Sequence, residues 1–192
     1  MTDEATRELI SRSAAGDVLA FEQLVRRFQS YAFALAMRLL CNPEEAKDVV
    51  QESFIRLWKN LNRFDQKKTF TTWLYSIVTN LALDRLRAIK RNRRLFISRD
   101  EESKIDETLD GFDLHEIHSQ RELASIIKTL TGELPLKQRL VFVLRDLQDL
   151  TVEEVADVTG MSPGSVKTNL HFARRRIRRY LVEYYRVGSL ES

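Results

Sequence analysis

The stretch TVEEVADVTGMSPGSVKTNLHFARRRIRRYL, Thr151 to Leu181, holds two helix starts separated by one stop. Thr151 is suited to cap a helix, and Glu154, three residues on, completes a capping box, in which hydroxyl and carboxylate each accept from the other residue's backbone N–H. Val152, Val155 and Val158 follow at helical spacing. Gly160 suits the left-handed residue that ends such a helix, since it has no Cβ to clash. Ser162 offers a second cap after a tight turn, with Pro163 at the first helical position, where its missing N–H is no loss. Val166, Leu170, Ala173, Ile177 and Leu181 then form a stripe at steps of four, three, four and four. This order of signals predicts a helix-turn-helix, and it is far more specific than any one of its parts.

Lys167, Thr168, His171 and Arg175 lie away from that stripe, so the face opposite the core carries groups able to bond base edges and phosphates. Side chains near the start of such a helix enter the major groove. From Arg174 to Arg179 there are five arginines in six positions. A cationic helix end is favoured by the helix dipole by under ~1 kcal/mol per charge, and this density exceeds that need. These arginines are better placed to meet phosphates, giving affinity more than sequence choice.

The formal net charge is only +3, which conceals a pattern. Arg85 to Arg94, RLRAIKRNRR, is a second basic block with no acid, and between the two blocks residues 96–122 hold nine acids. Two cationic patches flanking an acidic strip suggest two nucleic-acid contacts joined by a segment that avoids nucleic acid. Ordinary solvated helix faces would produce any one of these runs. Composition narrows the class further: 192 residues, 43% hydrophobic, with six glycines and three prolines, describe a globular helical protein with little material for sheet turns. Cys41 has no second cysteine to pair with, the N-terminus MTDEATRE does not resemble a secretion signal, and the apolar run Phe28 to Met37 is too short to span a bilayer. The expectation is a cytoplasmic protein without membrane insertion.

Upstream, Phe21, Leu24, Val25, Phe28, Ala32, Leu35 and Leu39 form one apolar stripe. Asn42 as N-cap, Pro43 at the first position and Glu45 in the capping-box place start another helix. Its expected buried side is Ala46, Val50, Ser53, Leu57 and Leu61, flanked by Phe54 and Trp58, and half of it stays open to a partner. DQKK, residues 65–68, breaks the pattern before a helix with Leu74, Ile77, Val78 and Leu81 on its buried side. Phe64, Phe70, Trp73 and Tyr75 surround that break, and the basic block follows. Rings beside cations suit a single strand, because unstacked bases need flat partners, but rings are equally often core. SRDEESKIDETLDGFDLHEI, residues 98–117, has no sustained period and is expected to be a linker. Leu123, Ile126, Ile127 and Leu130, then Leu140, Val143, Leu144 and Leu147, give two further helical stripes.

The chain resembles the extracytoplasmic-function group of the sigma-70 family of bacterial sigma factors. The likeness is carried by GDVLAFEQLVRRF (16–28), EEAKDVVQESFIRLWKNLNRF (44–64), TFTTWLYSIVTNLALDRLR (69–87) and LRDLQDLTVEEVADVTGMSPGSVKTNL (144–170), in the family's order and spacing. It implies an all-α fold of two small helical domains, sigma-2 over residues 1–96 and sigma-4 with the helix-turn-helix over 118–192, joined by a flexible acidic linker over 97–117. It also implies the function: a transcription initiation factor with no catalytic residues and no cofactor or metal, which binds core RNA polymerase, directs it to promoters and nucleates DNA melting.

Sites follow from the resemblance residue by residue. Asp48, Gln51, Glu52 and Arg56 would dock on the clamp helices of the largest polymerase subunit, and the flap region of the second largest would be a further contact. Phe64, Asp65, Gln66, Lys67, Lys68, Thr69, Trp73 and Asn80 would hold a flipped base of the −10 element, with Arg85, Arg87 and Arg91 on nearby phosphates. Ser165, Lys167, Thr168, His171, Phe172, Arg174, Arg175 and Arg178 would meet the −35 element. Phe172 stands where the family often has a basic residue, so apolar contact with a thymine methyl can replace a base or phosphate contact. An anti-sigma factor is the expected inhibitor. The alternative is a conventional helix-turn-helix regulator, which would need a ligand or receiver domain where this chain has DVVQESF. An enzyme fares worst, because no phosphate-cradling glycine loop or nucleophile motif is present, and His115 with His118 is a lone pair.

Overall fold

In the computed structural model of the chain, residues 4–65, 69–97 and 129–188 are described. All of their regular structure is helical. Helices α1 (Glu4–Ala14), α2 (Val18–Leu40), α3 (Pro43–Asn60) and α4 (Phe70–Ile97) form the first half, with a 3-10 turn at Leu61–Arg63. The second half comprises a helical turn α5 at 129–132, α6 (Leu136–Phe142) continued by a π-helical turn Val143–Leu147, α7 (Val152–Thr159) and α8 (Pro163–Gly188). The linker expected over 97–117 lies, apart from Ile97, outside the described residues, as do Leu123, Ile126 and Ile127.

Caps set the helix starts. Asp17 accepts from the Ala20 N–H at 3.0 Å, and Asn42 accepts from the Glu44 and Glu45 N–H groups at 3.0 and 3.1 Å. Cys41 ends α2 in the left-handed conformation with φ 56°. The expected capping box at Asn42 is not completed: the Glu45 carboxylate turns to Arg85 on α4. A charge-assisted bond to a guanidinium outweighs one to a neutral N–H.

Helices α2, α3 and α4 pack around Leu24, Phe28, Leu35, Leu39, Leu57, Phe70, Leu74 and Val78, all buried. Each such side chain contributes roughly 1.5–3 kcal/mol by leaving water. Two stripes differ from expectation by a fraction of a turn. Phe21 and Val25 are only half-buried, and in α3 it is Val49, not Val50, that enters the core. The displaced residues line an apolar groove between α2 and α3 with Phe33, Ile55 and Trp58, about 910 Å³ in volume. The 23-residue α2 is long enough to turn two apolar faces to two different neighbours.

The helix-turn-helix forms as its signals dictate. Thr151 and Glu154 close the capping box, Gly160 ends α7 with φ 69°, and Ser162 accepts from the Ser165 N–H at 3.2 Å. Val155, Val158, Val166, Leu170 and Ala173 are buried, whereas Ile177 and Leu181 are half-buried. The π-helical turn was not foreseen. It carries Val143 and Leu144, both fully buried as the stripe predicts, and the half-buried Leu147.

The two halves touch. Helix α4 packs on α7, and the buried apolar residues of both halves join in one cluster.

Candidate nucleic-acid interface

At the first expected reading surface, the rings divide by burial. Phe70 is 1% exposed and stands against Phe28, Phe64 and Trp73, with ring centres 4.8, 6.0 and 6.1 Å away. Phe64 and Trp73 remain half-exposed, 5.1 Å apart. Phe70 and Tyr75 are thus core, and Phe64 with Trp73 form a shelf mounted on Phe70. Thr69 caps α4 by accepting from the Thr72 N–H at 3.2 Å, and its hydroxyl bonds those of Thr71 and Thr72. Asp65, before α4, and Asn80, within it, are both exposed. Gln66, Lys67 and Lys68 lie outside the described residues.

The basic block at the end of α4 is partly engaged. Arg85 pairs with Glu45 and lies 4.0 Å from Asp48, which raises its already high pKa through the Glu45 bond first. Arg87 bonds Asp84 at 2.9 Å, and Arg91 is exposed. Asp48, Gln51 and Arg56 project from α3 into solvent, and Glu52 accepts from Arg56 at 2.9 Å. Gln51 also borders the apolar groove. Asp48 and Arg85, assigned to two different partners by resemblance, are therefore neighbours.

On α8, Lys167, Thr168, His171, Phe172, Arg174, Arg175 and Arg178 are all exposed, and Ser165 is half-buried. Some of them already have partners. Thr168 donates to the Gly164 carbonyl at 3.0 Å, and the Asn169 amide donates to the Ser165 carbonyl and hydroxyl. Arg174 forks onto both carboxylate oxygens of Asp146, at 2.8 and 2.7 Å, so α8 is pinned to the π-helical turn below it. Phe172 is 46% exposed, with its ring edge-on to His171 at 5.6 Å. Lys167, His171, Phe172 and Arg175 thus form a projecting row of cation, imidazole and ring.

Sequence reasoning did not find the contacts between halves. Thr72 donates to Glu154 Oε1 at 2.7 Å, and the Tyr75 phenol donates to Gln148 Oε1 at 2.7 Å. Arg139 donates to the Leu39 carbonyl at 2.9 Å and to the Gly132 carbonyl, satisfying acceptors left over where helices end. Burial pushes the Tyr75 phenol up, so it stays a donor. Burial would also raise the Glu154 carboxyl, but the Thr151 N–H and the Thr72 and Thr151 hydroxyls together hold it below its ordinary value. No periodicity or motif encodes bonds between residues 73 to 100 positions apart. Among the described residues no helix is long and apolar enough to cross a membrane, and no group of His, Cys, Asp or Glu is gathered as for a metal.

Comparison with known proteins agrees over nearly the whole length. The Sigma-70 region 2 family matches residues 24–92, and the Sigma-70 region 4 family matches residues 124–177. The chain is 33% identical over 183 residues to the ECF RNA polymerase sigma factor SigW of Bacillus subtilis, covering 91% of this chain and 96% of that one. It is 31% identical to the RNA polymerase sigma-H factor of Pseudomonas aeruginosa, covering 92% and 94%. Among solved structures it is similar to CnrH in complex with the cytosolic domain of CnrY, with TM-score 0.64, 26% identity and coverage of 94% and 99%. It shares the fold of the sigma factor RpoE of Bartonella quintana, solved with the anti-sigma factor NepR, with TM-score 0.67, 22% identity and coverage of 85% and 98%.

Proposed function

The chain belongs to the extracytoplasmic-function group of the sigma-70 family, and on that premise we propose how its residues direct core RNA polymerase to promoters. The observation that carries the proposal is the presence of two unlike DNA-facing surfaces on one chain: a half-exposed aromatic shelf beside an exposed asparagine, and a projecting cationic row on a recognition helix. A conventional regulator needs only the second.

The Phe64–Trp73 shelf, with Asp65, Gln66, Lys67, Lys68, Thr69 and Asn80, receives a base of the −10 element extruded from the duplex. Stacking and hydrogen bonds there offset an unpairing cost of a few kcal/mol per base. Melting and reading are then one event. Arg87 and Arg91 meet phosphates alongside, and Arg85 joins them once Glu45 releases it. Lys167, Thr168, His171 and Phe172 read the −35 element in the major groove, Phe172 against a thymine methyl, while Ser165, Arg175 and Arg178 serve the backbone. Arg174 holds α8 in place through Asp146. Asp48, Gln51, Glu52 and Arg56 dock on the clamp helices of the largest polymerase subunit, with the groove beside Gln51 receiving apolar side chains, and the second half of the chain contacts the flap region. This work takes place in the cytoplasm.

Control by an anti-sigma factor belongs to the same proposal. The α2–α3 groove and the cationic α8 offer it apolar and charged faces, and NepR is such a partner of the similarly folded RpoE. Affinity purification from unstressed native cells that recovers no inhibitor would count against it.

The deciding experiment is run-off transcription from a library of promoter fragments, with purified core polymerase, with and without this protein, at fixed salt. Defined start sites that require the protein, and that vanish in the D48A/Q51A variant, are the expected result. Tight duplex binding without any start site would overturn the proposal in favour of a conventional regulator.

A further inference from the structure

Resting on the −35 contact assigned above, we propose that the reading face of α8 is graded in size to select thymine: Gly164, Thr168 and Phe172 form an apolar row that takes two thymine methyls.

The three residues stand at steps of four, so each lies one turn, ~6 Å, beyond the last with a drift of ~40° around the helix. All three are exposed. Lys167, His171, Arg175 and Arg179, also exposed, run beside them at the same step. The reading face is therefore two parallel rows, one apolar and one basic.

Among the described residues nothing calls for glycine at 164. Gly160, four residues earlier, takes φ 69°, which a side chain resists. Gly164 lies in the first turn of α8, and apart from its own stretch of helix no atom of the described residues is within 4 Å of the place a Cβ would occupy. Alanine would fit there and would favour the helix. What glycine supplies is bare backbone that a partner can approach closely. Thr168 offers a methyl. Its hydroxyl donates to the Gly164 carbonyl at 3.0 Å, so the donor is committed and the γ-methyl is the free part of the side chain. Phe172 offers a whole ring, 46% exposed and set edge-on to His171 at 5.6 Å.

The row thus grows from no side chain, through a methyl, to a ring. A recognition helix enters the major groove with its first residues at the base edges, so later residues start farther from them. Side chains that lengthen along the row keep one apolar surface level with those edges. The apolar group on a major-groove base edge is the thymine C5-methyl, which a threonine methyl or a phenylalanine ring can meet. Thr168 and Phe172 are ~6 Å apart along the axis, about two steps of ~3.4 Å, so their methyls belong to thymines within three consecutive pairs. A guanine or cytosine there would leave its polar edge unbonded against the row.

Uracil differs from thymine by the methyl alone, so substitution in the DNA leaves the protein's fold untouched. Holoenzyme made from core polymerase and the full chain selects promoters from a randomised library, and each −35 thymine of a selected promoter is then replaced singly by deoxyuridine. Two thymines within three consecutive pairs should each lose about fourfold in promoter affinity, the value of one buried methyl. Thr168→Ser keeps the hydroxyl and removes the methyl, and should abolish the preference for thymine over uracil at one of these positions, whereas Thr168→Val should retain it. Phe172→Ala should abolish it at the other. Gly164→Ala should raise the melting temperature by about 1–4 °C while weakening promoter affinity about five- to a hundredfold, opposite signs that a merely structural residue does not give. Uracil tolerated at every −35 thymine, a selected −35 element without thymine, or Gly164→Ala binding as tightly as wild type would overturn the graded row. If no promoter is selected at all, the proposed function falls; promoters whose −35 thymines tolerate uracil refute the graded row alone.

Discussion

The two surfaces proposed to read DNA are built by opposite means. On α4 the exposed rings are the outer edge of the core: Phe64 and Trp73 rest on Phe70, and Phe70 rests on Phe28 of α2. On α8 the reading row is carried by a helix whose opposite face alone is buried, and its side chains project into solvent. The difference suits the targets proposed for them. A flipped base is captured by shape, and shape has to be held rigid before the base arrives, since ordering it afterwards would consume the stacking energy. A duplex presents a groove and regular phosphates, for which a rigid helix with projecting cations is enough. Damage to the core beneath Phe64 and Trp73 should therefore reach the first surface more than the second.

The largest effect is expected from Phe70→Ala. Truncating a fully buried phenylalanine costs about 3–5 kcal/mol, and here it also removes the floor under Phe64 and Trp73. Chemical denaturation should show that loss, and binding to single-stranded −10 DNA should disappear while a −35 duplex is still bound by whatever fraction remains folded. Trp73→Ala cuts finer. Loss of one stacking partner is worth roughly 1–3 kcal/mol per base, so single-strand affinity should fall about ten- to a hundredfold, with a smaller loss of stability than Phe70→Ala because Trp73 is only half-buried. If −35 duplex binding fell equally, the separation of the two surfaces would be wrong.

The same contrast explains what could be read from the chain in advance. Caps and periodicity are local, so the helix-turn-helix was legible down to its capping box, its left-handed glycine and its proline start. Burial around α2 and α3 was less so. A stripe in one sequence window cannot reveal that Phe21 and Val25 face a groove while Leu24 and Phe28 face the core, because two apolar faces on one helix overlap in the pattern. The charge runs located the cationic segments but not the state of each cation. Arg85 and Arg174 find acids 40 and 28 residues away, and only the fold brings those together. The Thr72–Glu154 and Tyr75–Gln148 bonds are of the same kind.

Thr151→Ala sharpens the comparison from the other side. Losing an N-cap hydroxyl costs typically ~1 kcal/mol, and it should lower the thermal stability of the second half without altering single-strand capture by the first. The partner carboxylate adds a pH test. Because the folded protein holds Glu154 below its ordinary carboxylate pKa, its stabilisation is fully present above the unfolded value of about 4.3 and is lost as pH falls through the lower folded value. Melting temperatures between neutral pH and about pH 3 should therefore fall less steeply in Glu154→Gln than in the wild type. A slope identical in both would mean that the carboxylate is not held as described.

The smallest effect separates two adjacent arginines. Each phosphate contact contributes about −0.9 to the slope of log binding constant against log salt on duplex DNA. Arg175 is exposed, so Arg175→Ala should make the slope for a −35 duplex shallower by about that amount. Arg174 has the same charge and the same helix, yet its guanidinium is committed in two bonds to Asp146. Arg174→Ala should leave the slope unchanged and cost about 1 kcal/mol of stability or less, as for a partly exposed ion pair. Asp146→Asn supplies the converse: it keeps the arginine and removes its acid, which frees Arg174 to seek a phosphate and should steepen the slope. If instead Arg174→Ala flattened the slope as Arg175→Ala does, the Asp146 pairing would have to yield to DNA on binding. The cationic row of α8 would then be read as a continuous phosphate track rather than as one pinned residue among free ones.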